Sequence, residues 1–418
     1  MNGSVLRVLS LASIFPNPED SALGVFVKTR LEHVAALSEV KVFAPVPVLD
    51  YSATTARARW RGLRLGASEY AGSMEILHPR WLYPPGGCFL NSFCLSVCLV
   101  CSTGRLKRRY PFDILDAHFG YPDGIAAALL SRWFARPFCV TLRGSELYHS
   151  RSTMLRYWMG WSLRKAMRVI VQSDELGALA VSLGVNPSRV KKIPNGLDSS
   201  IYYAREREVC RVKHRLNAGN RFILSVGHLR ALKGHQFTIR AFQALHRRNE
   251  VNELLIAGDG GTGAPSYEPE LRGLAAELGV ENHVRFMGRL SPGHVAELMS
   301  AADVFCLAST REGCPNVVQE ALACGCPVVS TGVGAVADML PSSRYGIIVA
   351  PNDAAALEQG LRRALATEWD RAAISAWGQA RSWREVARDV VAELHHATTE
   401  YAAGARNDST QRLPGDRQ

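Results

Sequence analysis

Short apolar runs rich in β-branched residues alternate with longer stretches of helical period along almost the whole chain, and that alternation predicts a parallel sheet wrapped by helices. The first half carries seven such runs: VLRVLSLAS from Val5, VKVFAPV from Val40, MEILHP from Met74, DILDAHF from Asp113, FCVTLRG from Phe138, RVIVQS from Arg168 and VKKIPNG from Val190. Most end in Gly, Ser, His or Asn, at the carboxyl ends where doubly wound sheets bind their ligands. Between Ser199 and Asn220 the pattern lapses into a charged, aperiodic segment. A second series then begins with RFILSVG and continues with ELLIAGD from Glu253, VRFMG from Val284, ADVFCLAST from Ala302, CPVVST from Cys326 and GIIVAP from Gly346. The fold class is therefore α/β, with two Rossmann-like domains expected to face a central cleft: residues 1–202 and residues 203–376. The helical stretch 377–400 is expected to pack back on the first domain, and 404–418 reads as a polar tail.

With 418 residues, 47% hydrophobic and 21% charged, the chain is a folded globular protein and neither disordered nor fibrous. Lys and Arg outnumber Asp and Glu 49 to 38, a net +11, so anionic partners are indicated: phosphorylated ligands, an acidic membrane face or nucleic acid. Nucleic acid is disfavoured because the basic residues are scattered or flank apolar helices, and no recognition module appears. The ten cysteines lie largely in apolar runs and fit a reduced, cytoplasmic setting. The single Cys-x-x-Cys, Cys98 to Cys101, has no second pair and no nearby histidine, so no metal is assigned to it. The longest apolar run, Cys88 to Cys101, falls short of the roughly 20 residues of a membrane span.

The densest candidate chemistry is STREGCPNVVQEALACGCPVVSTGVG, Ser309 to Gly334, which reads as strand, loop, helix, strand. Glu312 and Gly313 occupy the loop. Asn316 and Val317 open the helix, where unsatisfied N–H groups and the helix dipole attract an anion. Glu320 lies about 7 Å further along the axis at about 1.5 Å per residue. Two carboxylates so spaced can accept from opposite ends of a hydroxyl-rich ligand such as a sugar and a ribose. In SVGHLRALKGHQF, Lys233 stands at the start of the next helix, where a cation can reach a diphosphate, with His228 and Arg230 as further donors. GDGGTG, from Gly258, formally fits a dinucleotide fingerprint, but the following strand ends in Arg289 instead of an acidic residue. Its glycines therefore read as a loop that lets a base or ribose approach the backbone.

In the first half, His118 closes a strand in DAHFGYPDG and can hydrogen-bond a substrate or hold the loop. Gly24 can bring the backbone to a phosphate, or simply turn the chain, and Arg143 begins RGSE at the end of another strand. No Asp-x-Asp occurs, so metal-assisted handling of a nucleotide sugar through that motif is not supported. The apolar stretch before Arg105, Lys107, Arg108 and Arg109, with Arg57, Arg59, Arg61 and Arg64, suggests a contact with an anionic membrane; a core helix with a solvated basic end reads equally well.

These residues resemble the family 4 glycosyltransferases, retaining enzymes of the two-domain GT-B fold, over nearly the whole chain. Glu312 through Glu320 looks like the family's E-x7-E motif. VGHLRALKGH, VQSDELGALAVSLGV, KKIPNGLD, SIFPNPEDSALGVFVKTR and HFGYPDG with TLRGSEL add to it, the last groups being most similar to bacterial cell-surface polysaccharide enzymes. The resemblance implies that residues 1–202 bind the acceptor and residues 203–376 the donor, and that the catalytic residues are Lys233, Glu312 and His118: Glu312 contacts donor-sugar hydroxyls, Glu320 the ribose and Lys233 the diphosphate, with His118 facing the donor sugar. Many relatives have arginine where this chain has His228, glutamate where it has Asp338, and histidine where it has Arg143. The expected reaction is metal-independent hexosyl transfer, with retention, from a nucleoside diphosphate sugar to a saccharide or lipid-linked acceptor, without a cofactor or protein nucleophile. The expected setting is cytoplasmic or peripheral on the inner face of the membrane. The alternatives are an epimerase or hydrolase of the same fold, or a non-catalytic nucleotide-sugar binder.

Overall fold

The computed structural model describes residues 5–18, 20, 23–50, 59–60, 69–84, 89–103, 110–260 and 266–411. These form two compact units, one built from the chain up to Pro194 together with the segment from Trp383, the other from Asn195–Ser382. The first unit contains strands β1 (Arg7–Ala12), β2 (Glu39–Phe43), β3 (Glu69–Ala71), β4 (Met74–Leu77), β5 (Ile114–His118), β6 (Phe138–Leu142), β7 (Arg168–Val171) and β8 (Val190–Lys192). Their order in the sheet is β8, β7, β6, β5, β1, β2, β4, β3. All are parallel except β3, which pairs antiparallel with β4. Every strand expected from the sequence is present; β3 is additional, too short at three residues to show a period.

Alternation within β1, RVLSLA, explains why its apolar residues stand at both odd and even positions. Leu9 and Leu11 enter one core and Val8 and Ala12 the other, so both faces of the sheet are covered. Helix α1 (Val25–Ala35) lies on one face, and α2 (Phe89–Thr103) and α3 (Ile125–Phe134) on the other.

The second unit repeats the plan with β9 (Phe222–Val226), β10 (Glu253–Ala257), β11 (Val284–Gly288), β12 (Val304–Leu307), β13 (Val328–Thr331) and β14 (Gly346–Val349). The order is β11, β10, β9, β12, β13, β14, all parallel. The chain thus winds outward from β9 to β11 and then returns to β12 on the other side. Helix α4 (His235–His246) follows β9, and α5 (Asn316–Ala323) follows β12. The reversal between β9 and β12 is the place where such sheets form a ligand crevice.

The units exchange chain at points that differ from those expected. The second begins at Asn195, ahead of residue 203. Asn195 Nδ2 donates to Asn316 Oδ1 at 2.8 Å, the Leu197 amide donates to the Arg381 carbonyl at 3.0 Å, and Ile201 and Tyr202 pack on the second unit's core. Trp377 does not start the returning helix but lies in the preceding one, Arg371–Gly378, whose Ile374 is buried in the second unit. A Cβ on Gly378 would meet the Ala323 nitrogen at 2.2 Å, which fixes that helix against α5. Helix α6 (Trp383–Gln411) then returns, placing Trp383, Val386, Val390 and Leu394 in the core formed with Val27, Leu31 and Val34 of α1. It runs on through part of the segment read as a tail. Among the described residues no helix is long and apolar enough to cross a membrane, and the described cysteines are free thiols.

Candidate active site

The loops after β9 and β12 meet at the strand reversal of the second unit. Lys233 Nζ donates to Glu312 Oε1 at 2.6 Å, and Ser309 Oγ donates to the same oxygen at 2.6 Å. Both charged side chains are mostly buried, 21% and 11% exposed, so each would be costly to leave unpaired. The backbone brings them together because Gly234 sits in the left-handed region at φ +72°, and a Cβ there would lie 1.8 Å from the Ala308 carbonyl oxygen. The Thr310 amide donates to the Leu232 carbonyl at 2.8 Å, tying the same two loops. The loop after β13 closes on them: the Ala335 amide donates to the Gly313 carbonyl at 2.9 Å, and Gly334 allows that approach at φ +57°. Lys233, Glu312 and Gly313 are thus assembled by three loops from adjacent strands.

Helix α5 begins after Pro315, and no side chain caps its first turn. Its opening amides, at Asn316 and Val317, form the electropositive end of the helix dipole. The Asn316 side chain is engaged by Asn195. Glu320, on the same helix, hydrogen-bonds Tyr202 rather than Lys233; burial pushes its carboxyl up to about 7, with the Tyr202 bond opposing the shift. Next to this region Asp259 gathers three expected residues. Arg289 Nε donates to Asp259 Oδ2 at 2.8 Å, His228 Nδ1 lies 3.5 Å from Asp259 Oδ1, and Gly258 approaches Gly227 so closely that a Cβ would meet its carbonyl oxygen at 1.9 Å. Arg230 Nε donates to the Gly260 carbonyl at 2.5 Å. The later part of GDGGTG, residues 261–263, and Pro265 lie outside the described residues.

In the first unit His118 and Arg143 are in contact, while Gly24 lies against the backbone of Ile14 and Phe15. His118 is fully buried, with Nε2 3.0 Å from Ser10 Oγ and 3.3 Å from Asp116 Oδ2. Arg143 Nη2 donates to His118 Nδ1 at 2.9 Å, and since a guanidinium only donates, Nδ1 is the acceptor and Nε2 carries the proton. The imidazole is held neutral, burial pushing it down to about 4 against the opposing charge of Asp116. Both ring nitrogens are thereby engaged inside the protein. The Arg143 guanidinium lies 5.2 Å from the Phe26 ring on α1, the helix that Gly24 opens at φ +64°.

Sequence reasoning passed over the carboxylates that hold these loops. Glu146, buried, accepts from the Gly120 amide at 2.7 Å and from the Gly144 amide at 2.8 Å. Asp123 accepts from the Ser13 amide and hydroxyl, each at 3.0 Å, and burial raises its pKa well above the usual carboxylate range. Both lie beside the glycine-bracketed strand ends, which was the available signal. Ser309, Tyr202 and Asp259 carried none, since their roles depend on tertiary neighbours. Of the basic residues assigned to a membrane, Arg57, Arg61, Arg64, Arg105, Lys107, Arg108 and Arg109 lie outside the described residues, and Arg59 is described only as part of a short strand.

Comparison with known proteins places this geometry. Residues 24–196 match the family described as glycosyl transferase 4-like domain, and residues 206–381 match glycosyl transferases group 1. A putative teichuronic acid biosynthesis glycosyltransferase, TuaC, of Bacillus subtilis is 25% identical over 86% of this chain and 89% of its own length. The 2-deoxystreptamine glucosyltransferase of Streptomyces kanamyceticus is 28% identical over 66% of this chain and 74% of its own. Among solved structures, Anabaena Alr3699/HepE in complex with UDP-glucose superposes with a TM-score of 0.68 at 21% identity, over 94% of this chain and 100% of that one. The two family matches follow one another along the chain, on a pair of parallel α/β sheets of the GT-B type, and the protein belongs to the group 1, family 4-like glycosyltransferases.

Proposed function

We propose that this glycosyltransferase takes its sugar from a nucleoside diphosphate sugar, with uridine as the base, and passes it with retention to a hydroxyl of a saccharide or lipid-linked saccharide of the cell surface. The observation that carries the reading is the Lys233–Glu312 ion pair at the strand reversal, beside the uncapped start of α5. The UDP-glucose bound by HepE and the teichuronic acid assignment of TuaC support the base and the polysaccharide context.

In this mechanism the bond between the anomeric carbon and the diphosphate oxygen breaks, leaving an oxocarbenium-like centre and a departing nucleoside diphosphate whose terminal phosphate gains one negative charge. Lys233 and the opening amides of α5 stabilise that negative charge in place of a metal. As Lys233 turns to the phosphates, Glu312 is released to accept from the donor-sugar hydroxyls. The acceptor hydroxyl forms the new bond on the face the diphosphate leaves and gives its proton to a diphosphate oxygen. Glu320 accepts from the ribose, and Gly258, His228 and Arg289 border the base. His118 and Arg143, enclosed together, position the loops of the first unit.

The lipid-linked form of the acceptor brings the protein to a bilayer. Leu90, Phe93 and Val97 form an exposed stripe at helical spacing along α2, and the sequence continues into Arg105, Lys107, Arg108 and Arg109. Apolar insertion with adjoining positive charge suits an anionic surface.

Lys233→Ala should lower UDP release by about 10²–10³-fold, the usual cost of removing one preorganised donor to developing charge. Turnover that continues at the native rate would refute the leaving-group role, and turnover indifferent to added acceptor would indicate a hydrolase or epimerase. UDP affinity, followed by calorimetry, should fall as the pH drops through about 7, because protonated Glu320 accepts fewer ribose bonds, and Glu320→Gln should flatten the profile. The raised pKa also fixes the sign for stability. The Glu320 contribution is full below the ordinary value of 4.5 and is lost as pH rises through about 7, so the native protein should lose ground to Glu320→Gln across that interval. Vesicles containing phosphatidylglycerol should sediment the protein, less so as salt is raised, and neutralising Arg105, Lys107, Arg108 and Arg109 should release it. Sedimentation unaffected by both changes would exclude the electrostatic contact.

A further inference from the structure

The segment that opens the second unit, Asn195 to Tyr202, touches helix α5 at two of the positions that the donor reading uses. At the helix start, Asn195 Nδ2 donates to Asn316 Oδ1 at 2.8 Å. One turn further along, the Tyr202 hydroxyl hydrogen-bonds the Glu320 carboxyl. Between these contacts the chain makes a tight turn, in which the Tyr202 amide donates to the Asp198 carbonyl at 2.9 Å. Arg205 clamps that turn: its Nη2 donates to the Ile201 carbonyl at 2.8 Å, and its guanidinium lies 3.9 Å from the centroid of the Tyr203 ring. The Arg205 amide in turn donates to Ser300 Oγ at 3.3 Å, on the helix Pro292–Ala301. Ile201 and Tyr202 pack against the apolar core of the unit. The Tyr202 ring is therefore held by its neighbours, and its hydroxyl is a donor at a fixed place.

Packing alone does not explain that hydroxyl. A phenylalanine would fill the same apolar space without taking a polar group out of water, so the phenol is accounted for by the carboxyl it meets. Glu320 is only partly buried, which leaves it a way to a ligand. An ionised carboxylate offers about four acceptor sites and no donor, so one bond from Tyr202 leaves the others free. That bond also restrains a side chain that would otherwise lose rotamer freedom on meeting a ligand. Burial favours the neutral form of Glu320, and the phenol opposes it by favouring the charged, accepting form. The remaining titratable groups nearby act elsewhere: burial pushes the Cys324 thiol, at the end of α5, up to about 12, while Asp198 acts on Tyr202 and Arg205 on Cys324. Burial and the Glu320 charge raise the Tyr202 phenol above its ordinary value of 10.0, so it keeps its proton and remains the donor.

We infer that Tyr202 is a positioning residue for the ribose: its hydroxyl fixes the Glu320 carboxylate so that the remaining acceptor sites receive the ribose hydroxyls, and the pair thereby selects a ribonucleoside diphosphate over its deoxy counterpart. The inference rests on the donor reading, in which Glu320 accepts from the ribose, and adds the residue that orients it and the discrimination that follows. Ring and hydroxyl have separate tasks, the ring closing the core and the hydroxyl serving the ligand.

Calorimetric titration of the full chain with UDP, and with the dideoxyuridine diphosphate that lacks both ribose hydroxyls, tests this in the native protein, Tyr202→Phe, Glu320→Ala and the double variant. At alkaline pH, with Glu320 charged, the native chain should bind UDP more tightly than the dideoxy compound. Tyr202→Phe should lower the UDP affinity by about tenfold or more, the order expected for one hydrogen bond to a charged group, and leave the dideoxy affinity as it was. Adding Tyr202→Phe to Glu320→Ala should lower the UDP affinity no further. The midpoint at which UDP affinity falls should move upward from about 7 in Tyr202→Phe, because the lost bond favoured the carboxylate. A ring that merely packs would move neither the ratio of the two affinities nor that midpoint. Circular dichroism checks the fold of each variant, and Tyr202→Leu takes the place of Tyr202→Phe if the latter does not fold. Equal weakening of both ligands in the folded variant, or a ratio and midpoint unchanged from the native chain, would overturn the inference and leave the donor reading standing. A native chain that binds the two compounds alike would overturn the contact between Glu320 and the ribose and this inference with it, and one that binds neither would overturn the donor site as well.

Discussion

The structure of the second unit depends on one close approach, the loop at Gly234 pressed against the end of β12. A left-handed glycine lets the backbone come within reach of Ala308, and only then can Lys233 and Glu312 share an ion pair of 2.6 Å with Ser309 on the same oxygen. Everything else around the strand reversal is arranged on that contact: the uncapped start of α5, the loop at Gly334 folded over Gly313, and the Asp259 cluster beside β10. A mostly buried pair of opposite charges is a poor source of stability but a good store of binding potential. Each partner is already largely stripped of water, and each can trade its present mate for a ligand group of that mate's charge sign.

The first unit solves a different problem with the same means. Its strand ends are joined by buried carboxylates, Glu146 bridging the loops after β5 and β6 and Asp123 bridging those after β1 and β5. These carboxylates accept from backbone amides and so fix the loops against one another. His118 belongs to this scaffold: between Ser10, Asp116 and Arg143 its two nitrogens are fully occupied.

Much of this was legible beforehand because parallel strands covered on both faces are rich in apolar and β-branched residues, and each of the thirteen parallel strands of the two large sheets falls within a run that the sequence singles out. The Glu312 to Glu320 segment was legible for the same reason: strand, loop and helix signals succeed one another without ambiguity. The unit boundary was not, since Asn195 joins the second unit through a side-chain bond to Asn316, a residue far away in sequence. Nor was the start of α6, because the helix containing Trp377 has the same apolar period and differs only in the core that receives Ile374. The orientation of His118 depends on Ser10 of β1 and on Arg143 just after β6, besides Asp116 of its own strand.

The most direct test of the central claim is a structure of the protein with UDP bound. The account predicts that Lys233 Nζ leaves Glu312 for an oxygen of the diphosphate, that the diphosphate lies against the first amides of α5, and that Glu320 accepts from the ribose. A structure with UDP bound elsewhere, or bound here with the Lys233–Glu312 pair intact, would contradict it.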